Sequence, residues 1–219
     1  MEPSSEVIPP DSGFDRIAWI YDFLAFLVFG RTLNNAQKAL LPKIPRNSRI
    51  LIIGGGSGWL LREIVLQCQP RHVLYVEASA QMLQLSRSQV QSLGEEAPVE
   101  FRLGNEKVIQ LSDEVDVVIC PFFLDLFTTE RLRNSILPRL TQSLSADGIF
   151  LITDFVPSKS TFHQLLIQIM YWFFGQIARI EANQLPPYDL LLNELPLRKS
   201  FFQSSQGGLI ESSIWIKTD

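Results

Sequence analysis

Apolar residues in the middle of this chain come in short unbroken runs separated by longer amphipathic stretches. Arg49–Ile50–Leu51–Ile52–Ile53 ends in glycines and has the pattern of a strand buried on both faces. Residues 59–67 then read as a helix, 72–76 as a second strand and 80–93 as a second helix. Residues 99–103 alternate like a third strand, 115–120 form a fourth, and 129–144 read as a helix. A turn at Ala146–Asp147–Gly148 leads into a fifth strand at 149–153. Strands alternating with helices predict right-handed crossovers and a mostly parallel sheet covered on both faces. The end of the chain differs. Residues 201–205 and 209–217 are strand-like runs around Gln206–Gly207–Gly208, the signature of an antiparallel hairpin. The expected fold is therefore a Rossmann-like, doubly wound α/β sheet of seven strands, closed by that hairpin.

Two further segments lie outside the alternation. Residues 14–30 are dense in apolar and aromatic side chains and read as a helix stopped by Gly30; residues 34–41 follow as a short helix ended by Pro42 and Pro45. Between the fifth strand and the hairpin, Phe162, Leu165, Leu166, Ile169, Phe173, Ile177 and Ile180 fall on one helical face. Ile167, Met170, Tyr171, Trp172 and Phe174 widen the apolar arc beyond it. One face is expected to pack on the sheet, leaving a second apolar surface to cover. The organisation predicted is a flexible tail over 1–13 and one domain over 14–219. Residues 14–45 and 155–197 are expected to form helical lids over the strand ends.

Composition narrows the partners. The 219 residues suit a single domain, and 15 Phe among them imply a thick core or a large apolar pocket. A net charge of −4 with no basic stripe argues against a nucleic acid partner. The acidic, polar first residues are not a secretory leader, and no run reaches the ~18 apolar residues of a membrane span. A cytoplasmic protein follows, monomer or homodimer, with peripheral membrane contact left open. Cys68 and Cys120 stand apart without metal-ligand spacing, so no metal is expected and both read as buried apolar residues.

The chemistry concentrates in the loop after the first strand. Gly54, Gly55, Gly56 and Gly58 surround Ser57, giving a Gly-x-Gly-x-Gly spacing that lets backbone N–H groups and a helix N-terminus face a ligand. A dinucleotide fingerprint fits neither register: from Gly54 its third glycine falls on Trp59, and from Gly55 its second falls on Ser57. Glu77 closes the second strand, where an acid accepts hydrogen bonds from both hydroxyls of a ribose.

These residues carry a resemblance. The run 50–58, followed by Val76–Glu77–Ala78–Ser79–Ala80–Gln81–Met82–Leu83, resembles the first two motifs of class I S-adenosylmethionine-dependent methyltransferases. The Glu-x-Ser-x-x-Met-Leu run and the segment 14–22 are most similar to the ubiquinone and menaquinone C-methyltransferase branch. The resemblance implies S-adenosyl-L-methionine as cofactor, with the loop glycines against its methionine and ribose, Glu77 on the ribose, and Ala78 and Met82 flanking the adenine. Gly104–Asn105–Glu106 stands where the family has Gly-Asp-Ala, implying that Asn105 meets the adenine amino group, with Glu106 beside it. Pro121 and the next three residues would pass near the sulfonium. The chain departs from the family at Ile52, where an acid customarily holds the methionine amino group.

Methyl transfer needs alignment and exclusion of water, and a base only where the acceptor carries a proton of unsuitable pKa. The candidate bases are Asp154 at the end of the fifth strand, His163 nine residues on, and Tyr21, placed in the lid by the resemblance. The apolar helices point to a small, lipophilic acceptor. Two other functions fit the sequence less well: a methyltransferase-like protein that binds without catalysis, suggested by Ile52, and a nicotinamide-dependent oxidoreductase, opposed by Trp59.

Overall fold

A computed structural model describes residues 31–93, 97–110, 112–177 and 181–218, the side chains of 173–177 excepted. The strands are β1 (Arg49–Ile53), β2 (His72–Glu77), β3 (Val99–Leu103), β4 (Val115–Pro121), β5 (Leu144–Phe155), β6 (Leu197–Ser205) and β7 (Ile210–Lys217). They form one seven-stranded sheet in the order β3-β2-β1-β4-β5-β7-β6. The first five strands are parallel, and β7 inserts antiparallel between β5 and β6. The strand order reverses at β1, so a crevice opens beyond the C-terminal ends of β1 and β4, the usual ligand position in such sheets.

Both faces of the central strands are apolar because both are covered. Leu51, Ile53, Leu74, Val76, Val118, Cys120 and Phe150 point to one side, where they meet Trp215 and the helix residues Leu132, Ile136, Leu137 and Leu140. Ile50, Ile52, Val73, Tyr75, Val117, Ile119 and Leu151 point to the other, against Leu60, Leu61 and Ile64. The two-residue period of a strand divides one continuous apolar run between two cores. Cys68 and Cys120 are both buried and free, as expected of small apolar residues.

Helices α1 (Thr32–Lys38), α2 (Trp59–Cys68) and α3 (Ala80–Gln91) precede a composite α4, formed by Thr129–Arg131, a π-helical turn at Leu132–Ile136 and Leu137–Ser143. Pro138 lacks the N–H that would reach back to Asn134, and the ladder widens just before it. Several boundaries differ from expectation. The helix expected over 34–41 ends at Lys38, and Pro42 sits instead in a separate 3₁₀ turn, Leu41–Lys43. Leu144, expected to end α4, instead begins β5 by pairing with Val115. The turn at 146–148 is a bulge within that strand, with Asp147 at φ +60°. The final hairpin starts earlier than the apolar run suggested, at Leu197, because Arg198 and Lys199 pair with Ile216 and Trp215.

The helix after β5 is α5 (Thr161–Ile177), and a short α6 (Tyr188–Asn193), not anticipated from the sequence, follows and buries Tyr188, Leu191 and Leu192 beside Trp215. On the helical face singled out in the sequence, Phe162, Leu165 and Ile169 point outward at 69, 54 and 52% exposure while Leu166 turns inward; Trp172 of the wider arc is 69% exposed. The inward residues are Leu166, Ile167 and Met170, which pack on Ala36, Phe122, Phe155, Leu209 and Ile210 at the strand ends, not on the sheet face. A helix apolar nearly all round leaves periodicity no means of choosing a side. Phe173, Phe174, Ile177 and Ile180 lie outside the described side chains, as does the whole of 1–30. Among the described residues no helix is long and apolar enough to cross a membrane.

Candidate functional site

The glycine loop lies half-exposed at the C-terminal end of β1, beside the switch point. Gly54, Gly56 and Gly58 have φ of +67, +62 and +86°, which L side chains rarely adopt. What surrounds each glycine differs. A Cβ on Gly54 would stand 2.3 Å from the Phe123 ring, one on Gly55 2.6 Å from the Tyr75 ring, and one on Gly58 2.5 Å from the backbone of Ser86. At Gly56 no other described residue comes within 4 Å of that position. The loop is thus packed against protein on three sides and open on one, a cradle that a Cβ at Gly56 would fill.

Glu77, the last residue of β2, turns its carboxylate onto this loop. Its Oε2 accepts from the Gly56 N–H at 3.0 Å and its Oε1 from the Ser79 N–H at 3.0 Å. Tyr75, fully buried two residues earlier, donates its hydroxyl to the Gly56 carbonyl at 2.8 Å. Both peptide groups of the open glycine are therefore oriented from β2. The Tyr75 contact was missed in the sequence; its signal was a phenol within an otherwise aliphatic strand, since a buried hydroxyl needs a partner.

The residues that the resemblance assigns to the adenine lie in the next two turns. Ser79 caps α3, its hydroxyl accepting from the Met82 N–H at 3.1 Å; Met82 is buried and Ala78 partly exposed. Ser79→Ala should therefore cost about 1 kcal/mol of stability in urea unfolding, the usual value of an N-cap. A loss within error would mean the cap is replaced. Gly104 follows β3 with φ +146°, and Asn105 caps the turn Glu106–Val108 by accepting from the Lys107 N–H. Glu106 is not directed to the cradle. It is buried in an ion pair with Arg131 at 3.1 Å and accepts from the Ser135 hydroxyl at 2.9 Å, so it anchors α4 to the β3 end.

The positions that the resemblance assigns to the methionine end keep the departure read at Ile52. Ile52 is fully buried between its neighbours Tyr75 and Ile119, with no acid in its place. Pro121 ends β4 opposite Thr153, Phe122 adopts φ +49°, and its N–H reaches the Thr153 carbonyl at 2.7 Å. Phe123 then lies against Gly54 and makes an edge contact with Phe127. Asp154, a candidate base, has no exposed surface. Its oxygens accept from the N–H groups of Leu124 and Phe155 at 2.9 and 2.8 Å, so in this arrangement it fixes the loop after β4. His163 is partly buried, its Nδ1 2.9 Å from the Ser158 hydroxyl and its ring beside Gly207 of the hairpin turn. Tyr21 lies outside the described residues.

A seven-stranded sheet of this order, with a glycine loop open after β1 and an acid at the end of β2, is the fold of solved methyltransferase structures. Residues 51–150 match the family model described as a methyltransferase domain. Over the fold as a whole, the chain is similar to 1,6-didemethyltoxoflavin-N1-methyltransferase of Burkholderia thailandensis, solved with bound 1,6-didemethyltoxoflavin and S-adenosylhomocysteine. The TM-score is 0.63 at 16% identity, covering 98% of this chain and 93% of that one. It is also similar to the N-methyltransferase NodS of Bradyrhizobium japonicum in complex with S-adenosylhomocysteine, with TM-score 0.64, 9% identity and coverage of 87 and 88%. At these identities the likeness is one of fold. A polyamine aminopropyltransferase of Moorella thermoacetica is 31% identical over 155 residues, 66% of this chain; the chain spans 53% of that relative's length.

Proposed function

We propose that the protein transfers a methyl group from S-adenosyl-L-methionine to a small apolar acceptor bearing a ring or chain. The observation that carries the acceptor class is the wall next to the cradle. Phe122 and Phe155 at the strand ends pack with Leu166, Ile167 and Met170 of α5, a helix with no charged residue along its length. The cofactor fits the cradle by shape and chemistry: Gly56 leaves the space, the N-terminus of α2 offers N–H groups to a carboxylate, and Glu77 suits a ribose. Ala78, Met82 and Asn105 are assigned to the adenine, and Pro121 to the backbone beside the sulfonium. Helix α5 is placed in the lid, with its outward stripe as the surface against which the acceptor closes. Where the acceptor carries a proton to be removed, His163 and Tyr21 are the candidate bases. A quinone-like acceptor, as in the C-methyltransferase branch, is the first class to try.

Radiolabelled methyl transfer to a cell extract, divided into lipid–quinone and polar fractions, tests this reading. Label is expected in the apolar fraction, and label confined to polar metabolites would overturn it. Ile169→Asp and Trp172→Ser, both at exposed positions, should leave cofactor affinity unchanged. They should raise the acceptor KM about tenfold, roughly 1.4 kcal/mol of lost apolar burial. An unchanged KM would remove the stripe from the acceptor site. Aminopropyl transfer, the activity in the name of the curated relative, predicts a cationic amine acceptor. Uncharged α5 offers such an acceptor no carboxylate, and a diamine arm in the same assay checks it. Failure to bind S-adenosylmethionine or S-adenosylhomocysteine in calorimetry at millimolar ligand would leave only a binding role for the apolar face.

A further inference from the structure

The loop after β4 contains a second acid that the proposed reaction does not use. Asp125 sits in the 3₁₀ turn Leu124–Leu126 and is buried, with its Oδ1 lacking any partner among the described residues. Its side chain lies within hydrogen-bonding reach of Asp154, itself buried on β5. Two buried carboxylates in contact do not readily both ionise, because their repulsion adds to the cost of burying each charge. One proton held between them turns repulsion into a hydrogen bond.

The pair stands at a junction. Asp154 holds the Leu124 N–H, and so sets the position of Phe123, whose ring rests on Gly54 of the cofactor loop. From the other side, Tyr171 of α5 donates its hydroxyl to the Asp125 carbonyl at 3.0 Å. The 122–127 segment is thus tied to the cofactor loop at one end and to the lid helix at the other. We propose that Asp125 and Asp154 are a proton-sharing positioning pair, and that cofactor affinity depends on the pair keeping its proton. This rests on the methyl-transfer reading of the cradle.

Among the described residues, other groups facing the pair do not supply a counter-charge. Cys120 on β4 and Tyr188 on α6 are buried and Tyr171 on α5 partly so; burial first, then the nearby carboxyls, pushes their pKa values up and keeps them neutral. Glu211 pairs with Asp154 across β7, but Lys199 is engaged by Glu211 and Asp189. Burial holds Asp125 above the ordinary carboxylate range, partly offset by the hydrogen bond with Asp154. Burial and then the charge of Asp125 hold Asp154 well above it. The folded state therefore binds the proton more tightly than the unfolded chain. The pair's contribution is complete below the ordinary carboxylate range and is lost as pH rises through neutral into the alkaline range.

The test is calorimetric affinity for S-adenosylhomocysteine between about pH 6 and about pH 9, in the full chain and in Asp125→Asn. The wild-type dissociation constant is expected to rise at least about tenfold with pH. Asp125→Asn carries a permanent amide donor toward Asp154, so its constant, whatever its absolute value, should vary less than about threefold. Parallel curves, or a flat wild-type curve, would overturn the proposal. If no cofactor binds at any pH, the methyl-transfer reading fails by itself. The pair is then judged by the thermal midpoint, which should fall with pH in the wild type and stay level in the variant. Should Asp125→Asn not fold, infrared spectroscopy of the wild type decides. A buried protonated carboxyl band that titrates away over the same range is expected, and its absence at about pH 6 refutes the shared proton.

Discussion

Gly56→Ala should remove cofactor binding and leave the protein folded, whereas Gly58→Ala should damage the fold itself. The two positions share a left-handed backbone, φ +62 and +86°, so each alanine carries about 1–2 kcal/mol of conformational cost. They differ in what the new methyl meets. At Gly58 it stands 2.5 Å from the Cα and Cβ of Ser86, where backbone cannot give way, adding about 1–3 kcal/mol of overpacking. At Gly56 it meets no atom of the described residues and projects into the cradle. Calorimetry with S-adenosylhomocysteine should show at least a hundredfold loss for Gly56→Ala, roughly 2.8 kcal/mol, with a thermal midpoint only several degrees below wild type. Wild-type affinity in that variant would move the ligand off the loop.

The second large effect is expected at Glu77. Removing a carboxylate that bonds a ribose costs about 1.5–3 kcal/mol, or some ten- to hundredfold in affinity. The structure enlarges this, since Glu77→Ala also strips the Gly56 and Ser79 N–H groups of their acceptor. Glu77→Gln retains one acceptor oxygen and should fall between alanine and wild type. Equal affinities for all three proteins would exclude Glu77 from the site. Tyr75 supports the same peptide from behind, so a graded loss in Glu77 variants reports loop order as well as ribose contact.

Much of the parallel sheet is legible in the sequence because each of its central strands is buried on both faces and reads as an unbroken apolar run. The glycine loop and Glu77 are legible for a different reason. Their register is local, a strand end followed by a helix start, and the chain itself imposes the spacing. Helix α6 escapes this logic. Its six residues follow two prolines and show no full helical period, and burial against Trp215 gives them their reason to fold. The same holds for the start of β6, where Arg198 and Lys199 give no apolar signal and pairing with β7 imposes the strand.

The glycine cradle opened by strand β1, with the acid that faces it, was determined by residues close in sequence. Which side chains serve it was decided by tertiary structure. Asp154 ends a strand just where a base was expected, yet neighbours from thirty residues away draw it into the Leu124 N–H and Asp125. Glu106 follows β3 where adenine was expected, yet Arg131 and Ser135 claim it. Helix α5 is apolar on nearly every side, so packing of Leu166, Ile167 and Met170 on the strand ends chose its buried face. Backbone pattern is a local property of the chain; the task of a charged or aromatic side chain depends on the partners that folding brings to it.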